Sequence, residues 1–166
     1  EAARVDVGAP SGCLPWRGAI EWREPADAAA LAADRHAVGA WGEALVYNYL
    51  LATQPDDRRV EWLNADAETR APYDLTLTDR RGRGGAHRGG GARGPVFVEV
   101  KTSRFHDRNV LEMSYAEFDF MSREPPVRYH IYRVSGAGQP GGARITIIDE
   151  PMRALREGGI RLCLVV

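Results

Sequence analysis

A chain of 166 residues is long enough for one compact domain of ordinary size and short for two. Its 44% apolar and 27% charged content excludes wholesale disorder, while 18 glycines and 10 prolines call for substantial loops. With 22 Lys and Arg against 23 Asp and Glu, the net charge of -1 excludes a surface that is basic all over and leaves any polyanion binding to a local patch. No apolar run approaches the roughly 20 residues that cross a bilayer, so no membrane partner is expected. Cys13 and Cys163 lie near opposite ends and form neither a metal cluster nor a disulfide framework, which makes a reducing, intracellular compartment the default. A chain that begins at Glu1 reads as a piece of a longer protein, with possible protein partners in sequence outside it; the oligomeric state is left open.

Residues 1–24, with Pro10, Gly12, Pro15 and Gly18, read as an irregular amino-terminal arm ahead of a single domain over 25–166. From about Pro25 to Ala52 the spacing predicts a helix with Val38, Trp41, Leu45 and Tyr49 along one face, although Gly39 and Gly42 weaken its continuity. Arg59 to Leu63 and Tyr73 to Thr78 alternate as strands do. Between them and the next strand, residues 79–95 (DRRGRGGAHRGGGARGP) form a glycine-rich flexible loop carrying Arg80, Arg81, Arg83, Arg88 and Arg93. The strongest strand is VFVEVKT, Val96 to Thr102. A short extended piece is expected around Leu111 and Met113, followed by a short helix in SYAEFDFM, for which Ser114 and Glu117 supply a capping box and Phe118 and Met121 face inward. Tyr129 to Val134 and Arg144 to Asp149 read as strands, MRALRE as a small helix and IRLCLVV as a terminal strand. This order favours an α/β architecture, a central sheet flanked by helices.

The chemistry concentrates on VFVEVKT. Alternation puts Val96, Val98 and Val100 on one face and Phe97, Glu99 and Lys101 on the other, so a carboxylate and an ammonium stand side by side. Pairing this strand with the one that carries Asp74 brings a second carboxylate alongside. Two carboxylates offer hard oxygen ligands to Mg²⁺ or Mn²⁺ and leave positions for water and phosphate, while Lys101 can orient the water or offset charge on phosphoryl oxygens. The bland readings differ for each group. An isolated acid such as Asp74 is usually a surface or turn-capping residue, E-x-K on a strand also describes an ordinary salt bridge, and Thr102 and Ser103 suit a strand end as well as a phosphate. His106 in a polar loop and His130 in a strand read as structural or solvent-exposed rather than reactive, and Asp107 merely adjoins the former.

PYD at 72–74 and EVK at 99–101 resemble the PD-(D/E)XK nuclease superfamily pattern, with Tyr73 inserted between Pro72 and Asp74. More narrowly, GEALVYNYL, EWLN, PYDL, FVEVKTS, MSYAEFDFM and YHIYRV, in that order from about Val38 to Val134, resemble the carboxy-terminal domain of the plant NO VEIN family. The resemblance implies a restriction-endonuclease-like core with a central mixed β-sheet flanked by helices, and Asp74, Glu99 and Lys101 as active-site residues. It also implies an acid from the preceding helix, which maps to Glu43. That residue sits about 140° around the helix from Val38, at the edge of the apolar stripe. The nuclear setting is likewise an implication of the resemblance.

These observations lead to the expectation of a metal-dependent endonuclease acting on nucleic acid, with DNA favoured. Asp74, Glu99 and Glu43 would hold Mg²⁺ or Mn²⁺, and the five loop arginines would grip phosphates without reading bases. The contrasting expectation is a catalytically inactive nucleic-acid-binding or protein-interaction module within a larger protein, in which case the same loop is either a loose RNA-associating segment or a solubilising one. The aromatic residues Trp41, Trp62, Phe97, Phe118 and Phe120 fall in amphipathic elements and read as packing rather than as a base-stacking platform.

Overall fold

Alternation of apolar and polar residues in six segments, and helical spacing in three, translate into the elements of the computed structural model, which describes residues 3–7, 28–79, 94–107, 110–139 and 142–162. In chain order these are β1 (Ala3–Val7), α1 (Ala28–Thr53), β2 (Arg58–Trp62), β3 (Leu75–Asp79), β4 (Val96–Ser103), α2 (Tyr115–Met121), β5 (Arg128–Ser135), β6 (Ala143–Ile148) and α3 (Pro151–Arg156). The fold is α/β, and its strands hydrogen-bond in the order β1-β6-β5-β4-β3-β2. β1 with β6, β2 with β3 and β3 with β4 are antiparallel. β4 and β5 run the same way: Arg128 at the start of β5 donates to the Gly94 carbonyl just before β4, and Ala137 just past β5 donates to the Ser103 carbonyl at the end of β4. The sheet is therefore mixed, as expected.

The chain forms two compact units, each assembled from three segments. Glu1–Thr53, Val100–Glu112 and Tyr132–Ile147 make the first, and Gln54–Glu99, Met113–Ile131 and Ile148–Val166 the second. In the first unit α1 runs unbroken through Gly39 and Gly42. Its buried line is Val38, Gly42, Val46 and Leu50, at i, i+4 spacing, and not the expected Val38, Trp41, Leu45 and Tyr49. The helix is rotated because the missing side chain at Gly42 lets the backbone press onto Thr102, whereas a tryptophan or tyrosine is too large to be enclosed there and sits half-exposed beside the line. Buried Arg104, just past β4, pairs with Asp34 and ties the start of the helix to the same strand end. Val46, Leu50, Val134 and Ile145 are fully enclosed in this unit.

The second unit closes around Leu75, Leu77, Val96 and Val98 on one side. On the other, Tyr73, Phe97 and Phe120 stack within 4.6–5.2 Å of one another, and Tyr129 packs 6.0 Å from Phe120. The geometry is tilted or edge-on, the arrangement aromatic quadrupoles prefer. Phe97 and Phe120 thus pack as expected. α2 starts with the expected capping box: Ser114 Oγ accepts from Glu117 N–H and the Glu117 carboxylate accepts from Ser114 N–H.

Several sequence expectations need correction. Ala3–Val7 is a strand where an irregular arm was expected; Ala3, Val5 and Val7 alternate with Arg4 and Asp6, and the pairing that orders so short a run comes from β6 at the far end of the sheet's sequence, from Ala3↔Ile147 through Val7↔Ala143. No strand forms around Leu111 and Met113, which have no ladder partner. The helix expected from Pro25 begins in the described residues at Ala28. Of the expected terminal strand, Arg161 and Leu162 are irregular and residues 163–166 lie outside the described residues, as do Cys13, Cys163 and residues 8–27.

Candidate active site

Asp74 ends the loop that leads into β3, and its main chain departs from the regular ladder. Leu75 faces Val98 in the register, yet the Asp74 N–H also reaches the Val98 carbonyl, at 2.9 Å. Two consecutive residues of one strand thus stand opposite one residue of the other, which is a β-bulge, a device that turns a side chain out of the regular pleat and is frequent beside active sites. On its other edge the Asp74 carbonyl accepts from Leu63 N–H at 2.9 Å, so both neighbouring strands grip this residue. Val98, the acceptor, immediately precedes Glu99, which is only 4% exposed. The Asp74 main chain is thus bonded to the residue before Glu99, and the charges of both acids act on the Tyr129 phenol.

Two further residues build this site, and neither was expected. Asn64, directly after β2, donates from Nδ2 to Asp74 Oδ1 at 2.9 Å. Its own Oδ1 accepts from Thr69 N–H at 3.1 Å and Thr69 Oγ at 2.8 Å. Tyr129, on β5 and 2% exposed, donates from its hydroxyl to the Pro72 carbonyl at 2.8 Å. That hydroxyl also lies in hydrogen-bond reach of the Glu99 carboxylate. A phenol has one proton, so it serves one of these acceptors at a time. Burial first, then the negative charges of Glu99, Glu117 and Asp74, hold the Tyr129 phenol far above its ordinary range, which keeps it a neutral donor. The only sequence signals were the presence of Asn64 in EWLN and of Tyr129 in YHIYRV; neither spacing nor charge marks a lone amide or a tyrosine in an apolar strand.

The remaining expected residues distribute as follows. Lys101 is half-buried on β4, two positions beyond Glu99 and so on the same side of that strand. Glu43 is half-buried on α1 in the first unit, next to the Gly42 that packs against Thr102, the residue following Lys101. Among the described residues no three or more His, Cys, Asp or Glu side chains are gathered in a group that could hold a metal ion, so the expected acids Glu43, Asp74 and Glu99 are not brought together as one such group. Thr102 Oγ1 is buried against α1, and Ser103 Oγ closes the turn after β4 by bonding Phe105, both structural roles. His106 is exposed, with Nδ1 3.4 Å from Ser135 Oγ. His130 is half-buried, and desolvation lowers its pKa, in keeping with a structural role. Arg80, Arg81, Arg83, Arg88 and Arg93 lie outside the described residues. A cleft of about 470 Å³ in the second unit is lined by Arg123, Arg128, Arg153 and Arg156. It is largely charge-compensated, because Arg123 pairs with Asp119 and Arg153 with Glu150 and Glu157.

Comparison with known proteins places the chain in a family. The family described as "Protein NO VEIN, C-terminal" matches residues 42–148, a span that contains Glu43, Asn64, Asp74, Glu99, Lys101 and Tyr129. The chain belongs to the NO VEIN C-terminal family. Similar proteins include Protein NO VEIN of Arabidopsis thaliana, 27% identical over 135 residues that make up 81% of this chain and 4% of that protein. Protein NO VEIN-LIKE of the same plant is 28% identical over 93 residues, 56% of this chain and 12% of that protein. The chain thus spans a small part of the length of these NO VEIN relatives. No solved structure matches it. Among the described residues no helix is long and apolar enough to cross a membrane.

Proposed function

We propose that this NO VEIN C-terminal domain is a metal-dependent nuclease of the PD-(D/E)XK type, with a restriction-endonuclease-like core, and that it hydrolyses phosphodiester bonds of nucleic acid, DNA in preference to RNA. The observation that carries this reading is the Asp74 main chain bonded to the Val98 carbonyl, one residue before buried Glu99, with Asn64 donating to the Asp74 carboxylate. The donor set suits a hard divalent cation. Mg²⁺ is commonly held by one or two carboxylates and completes its shell with water and substrate phosphate, and a two-carboxylate arrangement supplies that much and no more. Asp74 and Glu99 would hold Mg²⁺ or Mn²⁺; the family resemblance adds Glu43 as a third acid. When bound, the ion lowers the pKa of a water molecule and offsets phosphate charge.

The chain's own contribution is placement and proton control. Asn64 would hold the Asp74 carboxylate in a fixed direction through its amide N–H. Lys101, two positions along β4 from Glu99, would supply a positive charge suited to orienting the attacking water and to stabilising charge that develops on the phosphoryl oxygens as the bond to the leaving oxygen breaks. The neutral Tyr129 ties β5 to the Pro72 carbonyl ahead of Asp74 without adding charge.

The test is cleavage of DNA and RNA with and without Mg²⁺ or Mn²⁺. Cleavage should require the ion and fall by at least about 100-fold in Lys101→Ala, the scale of losing one preorganised charge-stabilising donor, while DNA affinity persists. Asp74→Asn and Glu99→Gln should behave alike, and Glu43→Gln decides whether the helix acid takes part. Wild-type protein that binds DNA but cleaves neither nucleic acid would refute the catalytic reading and leave a binding module.

A further inference from the structure

Asn64 is joined to Asp74 and to Thr69 by opposite ends of one rigid amide. A side-chain amide is symmetrical enough that its orientation is ordinarily a matter of assignment, but here the partners decide it. The Thr69 backbone N–H can only donate, so the atom it meets at 3.1 Å must be the amide oxygen; the NH₂ group is then forced toward Asp74 Oδ1, 2.9 Å away. The Thr69 hydroxyl adds a second bond to the same oxygen at 2.8 Å, and that hydroxyl accepts in turn from Ala71 N–H at 3.3 Å. Arg70 between them adopts a left-handed backbone, φ 58°, with its N–H bonded to Glu68 Oε1 at 2.9 Å. Left-handed backbone costs an arginine free energy, and the turn is held by these bonds on either side.

We propose that Asn64 is the positioning residue for Asp74: the turn from Asn64 to Ala71 locks the amide so that its NH₂ group fixes the direction of the carboxylate at the bulge. The inference rests on the hydrolytic reading of the site and adds to it a residue outside the acid and lysine pattern. The bonds to Thr69 alone would make Asn64 a loop tie; the bond to Asp74 makes the loop an alignment device for the site. The two roles separate in one substitution. Asn64→Asp is nearly isosteric and keeps an acceptor for Thr69, but it turns a carboxylate oxygen toward Asp74 where a donor stood.

The experiment measures thermal midpoint, Mn²⁺ affinity by electron paramagnetic resonance titration without DNA, and steady-state cleavage, for wild type and Asn64→Asp. The expected result is a midpoint close to wild type, Mn²⁺ affinity and kcat each reduced by about 10- to 100-fold, as for other residues that orient metal ligands, and an unchanged KM for DNA. Wild-type affinity and kcat in a folded Asn64→Asp would overturn the inference while leaving the nuclease reading intact. Should Asn64→Asp not fold, Thr69→Val replaces it. That variant removes the hydroxyl that holds the amide oxygen, and it should show a smaller loss in the same quantities; no loss there overturns the inference. A wild type that neither binds Mn²⁺ nor cleaves would remove the nuclease reading first, and this inference with it.

Discussion

Gly42 shows how one absent side chain sets the geometry of its unit. An ideal Cβ there would come to 2.8 Å from Thr102 Cβ and would overlap Thr102 Oγ1 outright. Two effects compete in Gly42→Ala: alanine is favoured over glycine in a helix by about 1 kcal/mol, whereas forcing extra atoms into a packed contact costs about 1–3 kcal/mol. Thr102 is β-branched and its Oγ1 is buried, so it has no flexible end to swing aside, and the overlap wins. We expect Gly42→Ala to lower the urea midpoint, and the loss to shrink in the double variant with Thr102→Ala; the double-mutant cycle checks both. At this scale the sequence revealed residues whose role lies in their own chemistry. Glu99, Lys101 and Asp74 stood out as candidates because acids and an amine on alternating strands carry a recognisable chemistry. Asn64 and Tyr129 were not, because their roles depend on which atoms they meet: Asp74 ten positions away for the one, and Pro72 fifty-seven positions away for the other.

Among the elements, legibility followed the strength of the local pattern. β4 and β5 were found nearly to the residue because branched and aromatic side chains alternate through them, and α2 because a capping box is written in four consecutive positions. α2 is only seven residues long and cannot persist by propensity alone, so its cap and its packed Phe120 must hold it. Ser114→Ala should therefore cost about 1 kcal/mol in denaturant unfolding, the usual worth of such a cap, and should speed amide exchange at the first turn of α2. α1 was found but rotated, since an apolar stripe drawn through its largest side chains misses the line that a glycine opens. The bulge at Asp74 was invisible, because nothing in a strand pattern marks an extra residue.

For the molecule as a whole, the α/β class and mixed sheet followed from the order of elements, and β1 escaped because its partner is at the far end of the chain. Charge is an argument at this scale as well. A net charge of -1 gives little general attraction to DNA, so binding should depend on the five arginines between positions 80 and 93. Neutralising them should flatten the dependence of log affinity on log salt by as much as about 4, each phosphate contact contributing roughly 0.9. Fluorescence anisotropy of labelled duplex DNA between low and moderate salt measures that slope, and an unaltered slope would remove the loop from the interface.

The interleaving of segments bears on how the polypeptide matures. The first unit needs residues as far along as Ile147, and the second takes up each stretch in between and continues past it. Neither is complete while the ribosome is still translating β5, so β1 waits for its partner β6 although β2, β3 and β4 can pair earlier, and the unpaired strands depend until then on dilution or chaperones. No single cut yields a self-sufficient half, and an expression boundary drawn anywhere between Thr53 and Ile147 should give aggregates.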